Sequence, residues 1–183
     1  MTCYAMKTYV LSVGILLLLA MVVRAGTEPA KTPAAGGPAP LFTGKDQDDH
    51  PWNLAEVVGK KVVLLYFYPK DDTPGCTREA CGLRDRIGEL KKDGVEVVGV
   101  SFDSAESHRK FREKYSLNFP LLADTDGQIA DRYGAWREPG KRGARRVSFL
   151  IGLDGKILHV TDTPSAETHL AEMKEAVARL KHG

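Results

Sequence analysis

One stretch of this chain restricts its fold more than any other. An unbroken apolar run, Val62 to Phe67, stops at Tyr68-Pro69, and Pro74-Gly75 follow five residues on. A helix-like pattern then runs from about Cys76 to Lys92. A short run of this kind predicts a strand buried on both faces, as in a parallel sheet covered by helices. Strand, loop and helix therefore follow in order, with Cys76 at the helix start and Cys81 one turn further in. A thiol there sits among unpaired backbone N–H groups at the positive end of the helix dipole. Both favour the thiolate, the reactive form of cysteine.

The rest of the sequence extends the pattern. Val95–Ser101 reads as a second buried strand after Gly94 ends the first helix. Ser104 is placed to cap a helix reaching Tyr115. Phe119–Ala123 predicts a short strand with Pro120 at its edge, and Gln128–Tyr133 a short helix after an Asp126-Gly127 turn. Arg137–Arg145 reads as a basic loop, and Arg146–Ile151 as a strand. Asp154-Gly155 turns that strand into Ile157–Val160. Glu167–Leu180 closes the chain as an amphipathic helix, with Leu170, Met173, Val177 and Leu180 inward. Ahead of these lie Leu41-Phe42, an Asp46–His50 turn, a pairing segment at Trp52–Leu54 and a helical turn at Ala55–Val58. Parallel βαβ units followed by an antiparallel hairpin and a helix predict an α/β fold of thioredoxin type. Its central mixed sheet carries helices on both faces.

Residues 1–25 have the layout of an export signal: Lys7, an apolar run from Val10 to Val23, and Ala25 at a cleavage position. The run is short for a membrane span, which takes about 18 residues or more. The protein is expected to be exported, to the periplasm, with no stable membrane insertion after signal removal. Retention of the segment as an N-terminal anchor is the alternative. Residues 26–40, rich in Pro, Ala and Gly, read as a tether, which leaves 41–183 as the folded domain.

Charge narrows the partners. The formal net charge is +2, and Lys7 and Arg24 are the only charges in the first 25 residues, so the remainder is neutral. Neutrality argues against nucleic acid as a partner. The sequence holds three cysteines, of which Cys3 lies in the N-terminal segment. The remaining pair is too few for a disulfide-built scaffold and points to reactive or metal-binding thiols.

Pro69-x-x-x-Thr73-x-x-Cys76 resembles the active-site signature of peroxiredoxins. The longer run Tyr66–Cys81, with its second cysteine five residues after the first, is similar to the bacterioferritin comigratory protein or PrxQ subgroup. The similarity continues through Arg146-Val147-Ser148-Phe149-Leu150 to the C-terminus. The resemblance implies a thioredoxin fold and thiol-dependent reduction of hydrogen peroxide and organic hydroperoxides. It implies no metal or organic cofactor, a thioredoxin-like dithiol as reductant, and a monomer. Cys76 would then be the peroxidatic nucleophile and Cys81 the resolving thiol, joined to it as a redox-active disulfide. Thr73 would position the peroxide, Pro69 would shape the loop, and Arg146 would supply a fixed positive charge. Arg145 competes for that role, but adjacent strand residues face opposite ways.

Helix geometry sets a condition on the disulfide. Residues i and i+5 of an intact helix have Cα atoms roughly 8–9 Å apart, whereas a disulfide needs about 7 Å or less. The bond therefore requires unwinding between Pro74 and about Leu83, where Gly75 and Gly82 weaken the helix. Glu79, one turn after Cys76, either orients an arginine or is solvated. Two rival readings are a thiol–disulfide oxidoreductase, which lacks its C-x-x-C here, and a copper carrier using both cysteines and His159. His50, in a charged turn, reads as solvated.

Overall fold

The computed structural model describes residues 31–138 and 141–180. The export segment, Cys3 and the first part of the tether lie outside them. Among the described residues no helix is long and apolar enough to cross a membrane.

A five-stranded sheet forms the centre. Its members are β3 (Val62–Phe67), β4 (Val95–Ser101), β5 (Leu121–Ala123), β8 (Val147–Ile151) and β9 (Ile157–Asp162), in the order β5-β4-β3-β8-β9. β3 pairs parallel with β4, and β4 with β5, while β8 pairs antiparallel with both β3 and β9. The mixed sheet expected from the sequence is thus present. The apolar run that ends at Pro69 is the middle strand, buried on both faces beyond Val62.

Alternation along β3 feeds two cores. Val63, Leu65 and Phe67 face α1 (Leu54–Val57) and α5 (Gln128–Tyr133) through Leu54, Ile129 and Tyr133. Leu64, Tyr66 and Tyr68 face the other side. There they meet α2 (Pro74–Arg84), α3 (Ile87–Lys92), α4 (Ala105–Tyr115) and α6 (Ala166–Arg179). Full burial of a residue such as Leu65 contributes about 1.5–3 kcal/mol. The β1 (Thr43–Lys45) and β2 (Pro51–Asn53) hairpin lies ahead of β3. As the sequence suggested, Ser104 caps α4, accepting from the Ser107 amide.

Three expectations need correction. The single helix over 76–92 is two helices, broken at Asp85-Arg86, where the Arg86 amide turns back to Leu83 O. Leu83, Ile87 and Leu90 are buried on both sides of the break, so the helical spacing of apolar residues runs straight across it. The basic loop at 137–145 contains a hairpin, β6 (Trp136–Glu138) and β7 (Lys141–Ala144), with an irregular register. Trp136 against Phe102 (ring centroids 4.6 Å apart) and fully buried Ala144 anchor it, and its Arg and Gly content hid any alternation. The last part of the supposed tether is docked. Gly36 N donates to Ile157 O, Ile157 N to Gly37 O, and Ala39 N to Gly155 O. Pro and Gly composition reports chain stiffness, not whether a sheet edge is free to bind the chain.

Candidate active site

The site is assembled where β3 ends and α2 begins. Tyr68 still bonds to β4 through its amide, and half-buried Pro69 then turns the chain away. Beyond Lys70, Asp71 and Asp72 are tied to α4. Asp71 accepts from the Tyr68 hydroxyl (2.7 Å) and the Ser107 hydroxyl (2.7 Å), and lies 2.8 Å from His108 Nδ1. Its amide donates to Asp103. Asp72, in the left-handed region at φ 55°, accepts from Lys114 and Tyr115, both at 2.6 Å. The loop is thereby fixed before the chain reaches Thr73.

Thr73 occupies the N-cap of α2, but its side chain caps nothing. Its hydroxyl donates instead to Lys70 O at 3.1 Å. That commits the proton to Lys70 O and leaves the oxygen lone pairs able to accept from a donor. Pro74 takes the first helical position, where a missing N–H costs nothing. The first helical bond is Thr77 N to Thr73 O, so the Gly75 and Cys76 amides precede it.

Cys76 is buried and Cys81 half-buried, and both are free thiols on one intact helix. Gly82 lets that helix lie close on α6: a Cβ there would collide with Leu170 Cδ2. At the mouth of β8, Arg146 turns inward and brings Nη2 to 3.4 Å from Cys76 Sγ. Arg145 points away and pairs with Asp162 and Gly134 O. Arg146 is itself held. Nε donates to Pro164 O (3.3 Å), and Nη1 is paired with Glu79 Oε2. Burial works against the Arg146 charge, but Glu79 and Cys76 outweigh it and leave its pKa above the ordinary arginine value. Burial, then the charges of Glu79 and Cys76, pushes the Tyr66 hydroxyl well above the tyrosine range.

Of this cluster, Glu79 was legible only as one of two readings, and His169 not at all. Glu79 is fully buried and is the carboxylate that orients Arg146, so it is not solvated. Its signal was positional, because i+3 from Cys76 shares the inward helix face with it. His169 is also fully buried and places Nδ1 2.8 Å from Glu79 Oε1. It sits four residues before Met173, on the apolar stripe of α6, where only the apolar members drew attention. The Asp71–His108–Ser107 tie was missed in the same way. The alternative ligand roles gain nothing. Among the described residues, the one His/Cys/Asp/Glu trio close enough to share a cation is Asp46, Asp48 and His50, which includes neither cysteine. Asp46 there caps its own turn through the Asp48 and His50 amides.

Residues 35–160 match the AhpC/TSA family. Peroxiredoxin Bcp of Escherichia coli is 50% identical over 140 residues, which cover 74% of this chain and 89% of the relative. The chain is a peroxiredoxin of the AhpC/TSA family. Chloroplastic peroxiredoxin Q of Sedum lineare is 39% identical over 147 residues, covering 80% of this chain and 78% of the relative. Among solved structures, peroxidoxin BcpB of Mycobacterium tuberculosis superposes with a TM-score of 0.75 at 33% identity, covering 82% and 97% of the two chains. The Xanthomonas campestris bacterioferritin comigratory protein, studied for alkyl peroxide reduction, gives 0.70 at 26% identity, covering 80% and 98%. For this peroxiredoxin the comparisons agree with the thioredoxin-type sheet described above. The Cys76–Arg146 contact sits within the matched region.

Proposed function

We propose that this peroxiredoxin reduces hydrogen peroxide and organic hydroperoxides through Cys76, with Cys81 as the resolving thiol. The observation that carries the reading is the Arg146 guanidinium 3.4 Å from Cys76 Sγ at the first turn of α2. The Cys76 thiolate attacks the terminal oxygen of ROOH. The O–O bond breaks, a sulfenic acid forms on Cys76, and the departing oxygen takes a proton to leave as water or alcohol. Arg146 and the leading amides of α2 stabilise charge as it moves from sulfur to oxygen. Thr73 accepts from the hydroperoxide O–H and fixes its direction of approach.

The Cys81 thiol then condenses with the sulfenic acid, releasing water and forming the Cys76–Cys81 disulfide. On the intact helix the two Cα atoms are roughly 8–9 Å apart, beyond disulfide reach. So α2 unwinds first. A thioredoxin-like dithiol returns both cysteines to thiols and is itself oxidised to a disulfide. Organic hydroperoxides belong in the substrate class because the X. campestris relative was studied for alkyl peroxide reduction. The Val10–Val23 segment supports export, so the dithiol donor must act outside the cytosol.

Peroxide consumption with a dithiol donor tests the reading. Cys76→Ser abolishes turnover. Cys81→Ser gives a single turnover and stalls as a sulfenic acid visible by mass spectrometry. Full turnover in Cys76→Ser would refute the assignment.

A further inference from the structure

The side chains of Cys76, Arg146, Glu79 and His169 form a chain of alternating contacts. Sulfur meets guanidinium at 3.4 Å, guanidinium pairs with carboxylate, and carboxylate lies 2.8 Å from imidazole. At most 9% of any of the four is exposed. Glu79 cancels the charge of Arg146, so a thiolate at Cys76 leaves the group with one uncompensated negative charge. An unbalanced charge in a buried site is costly. It disappears if His169 becomes an imidazolium. His169 Nδ1 faces Glu79, close in distance but off the line of a good hydrogen bond, so a strong attraction between them requires the imidazole to carry a charge. Its Nε2 has no hydrogen-bond partner among the described residues, which leaves that lone pair to take a proton.

We propose that His169 is a positioning residue for the peroxidatic thiol: loss of the proton from Cys76 Sγ is balanced by gain of one at His169 Nε2. The reactive state is then Cys76 thiolate, Arg146 cation, Glu79 carboxylate and His169 imidazolium, with no net charge. Other titratable groups on this side of the sheet include Tyr66 and Tyr68 at the end of β3, Asp71 and His108 beside Tyr68, the exposed Arg78–Glu167 pair between α2 and α6, and His159 on β9, opposite Leu150. Tyr66 stays protonated, because burial first and then the Glu79 charge push it upward. His159 is only half-buried.

The proposal rests on Cys76 being the reacting thiol but not on peroxide turnover, so its test uses iodoacetamide alkylation of the reduced full chain. His169→Gln keeps an amide donor for Glu79 but takes up no proton, whereas His169→Leu does neither. Both variants should alkylate about tenfold more slowly than wild type near pH 6.5 and match it near pH 9. Wild-type rates in His169→Gln at every pH would overturn the proposal, since a merely structural role is rescued by the amide. If His169→Leu fails to fold, NMR titration of the His169 ring in wild type and Cys76→Ser decides. The ring should lose its proton at lower pH in Cys76→Ser, and identical titrations would overturn the pairing. A protein that alkylates as described but consumes no peroxide would sink the peroxidase reading and leave this pairing standing.

Discussion

Arg146 does two jobs that a point charge could not combine. Its fork holds Glu79 with one nitrogen, offers another to Cys76, and rests Nε on Pro164 O. Lysine has one nitrogen and no planar fork. Arg146→Lys should therefore lower the rate constant for hydrogen peroxide by about 100-fold, measured by stopped-flow under single-turnover conditions. A change smaller than twofold would mean the fork is not what matters. At this scale the sequence was readable in part. Cysteine at a Pro-Gly helix start, and an arginine where a strand begins, carry their chemistry in their identity and position. His169 does not, and Glu79 left two readings open. An ionisable residue among apolar neighbours looks the same whether it is buried with a partner or turned to water, and the partner comes from a different element.

Among the elements, the proposed resolution step asks α2 to be both firm and releasable. Gly82 is the hinge of that conflict, since it permits the close approach of Leu170 on α6. Gly82→Val should destabilise the reduced protein by about 2 kcal/mol through overpacking. The disulfide form, with that turn unwound, should lose less. Thermal melts of both redox states would show it, and equal losses would argue that α2 stays helical. The loop ahead of α2 behaves differently, because α4 grips it. Hydrogen bonds from Lys114, then Tyr115, hold the Asp72 carboxyl below its usual range. A folded-state value lower than the unfolded one of about 3.9 means stabilisation that is present above that pH and lost below it. Acidification from pH 5 to pH 3 should therefore loosen this loop, read as faster amide exchange after correction for pH. Asp72→Asn should remove that part of the acid dependence. Element types were legible from period and punctuation, as at β3, β4 and α4. The break at Asp85-Arg86 was not, because inward apolar spacing continues through it. Nor was the β6–β7 hairpin, whose anchors, Trp136 and Ala144, lie at its ends.

For the whole molecule, the sheet is the frame, and the proposed disulfide requires change in α2. Two apolar faces of β3 hold the frame together, and that much followed from six consecutive residues. The strap at 36–40 was invisible, because its bonds are to backbone at β9 and its turn. Pro40 O also accepts from the Tyr133 hydroxyl at 2.9 Å. A chain beginning at Leu41 should be about 3 kcal/mol less stable than one beginning at Lys31, from lost hydrogen bonds and the uncovering of Ala39. Urea unfolding of the two would measure it, and equal midpoints would return the strap to the status of a tether.

The most direct test of the account is amide hydrogen exchange across residues 74–85, before and after one equivalent of hydrogen peroxide. The expected result is a Cys76–Cys81 disulfide accompanied by loss of protection in α2, while β3, β4 and β8 keep theirs. A disulfide formed with α2 protection unchanged, or no disulfide at all, would contradict it.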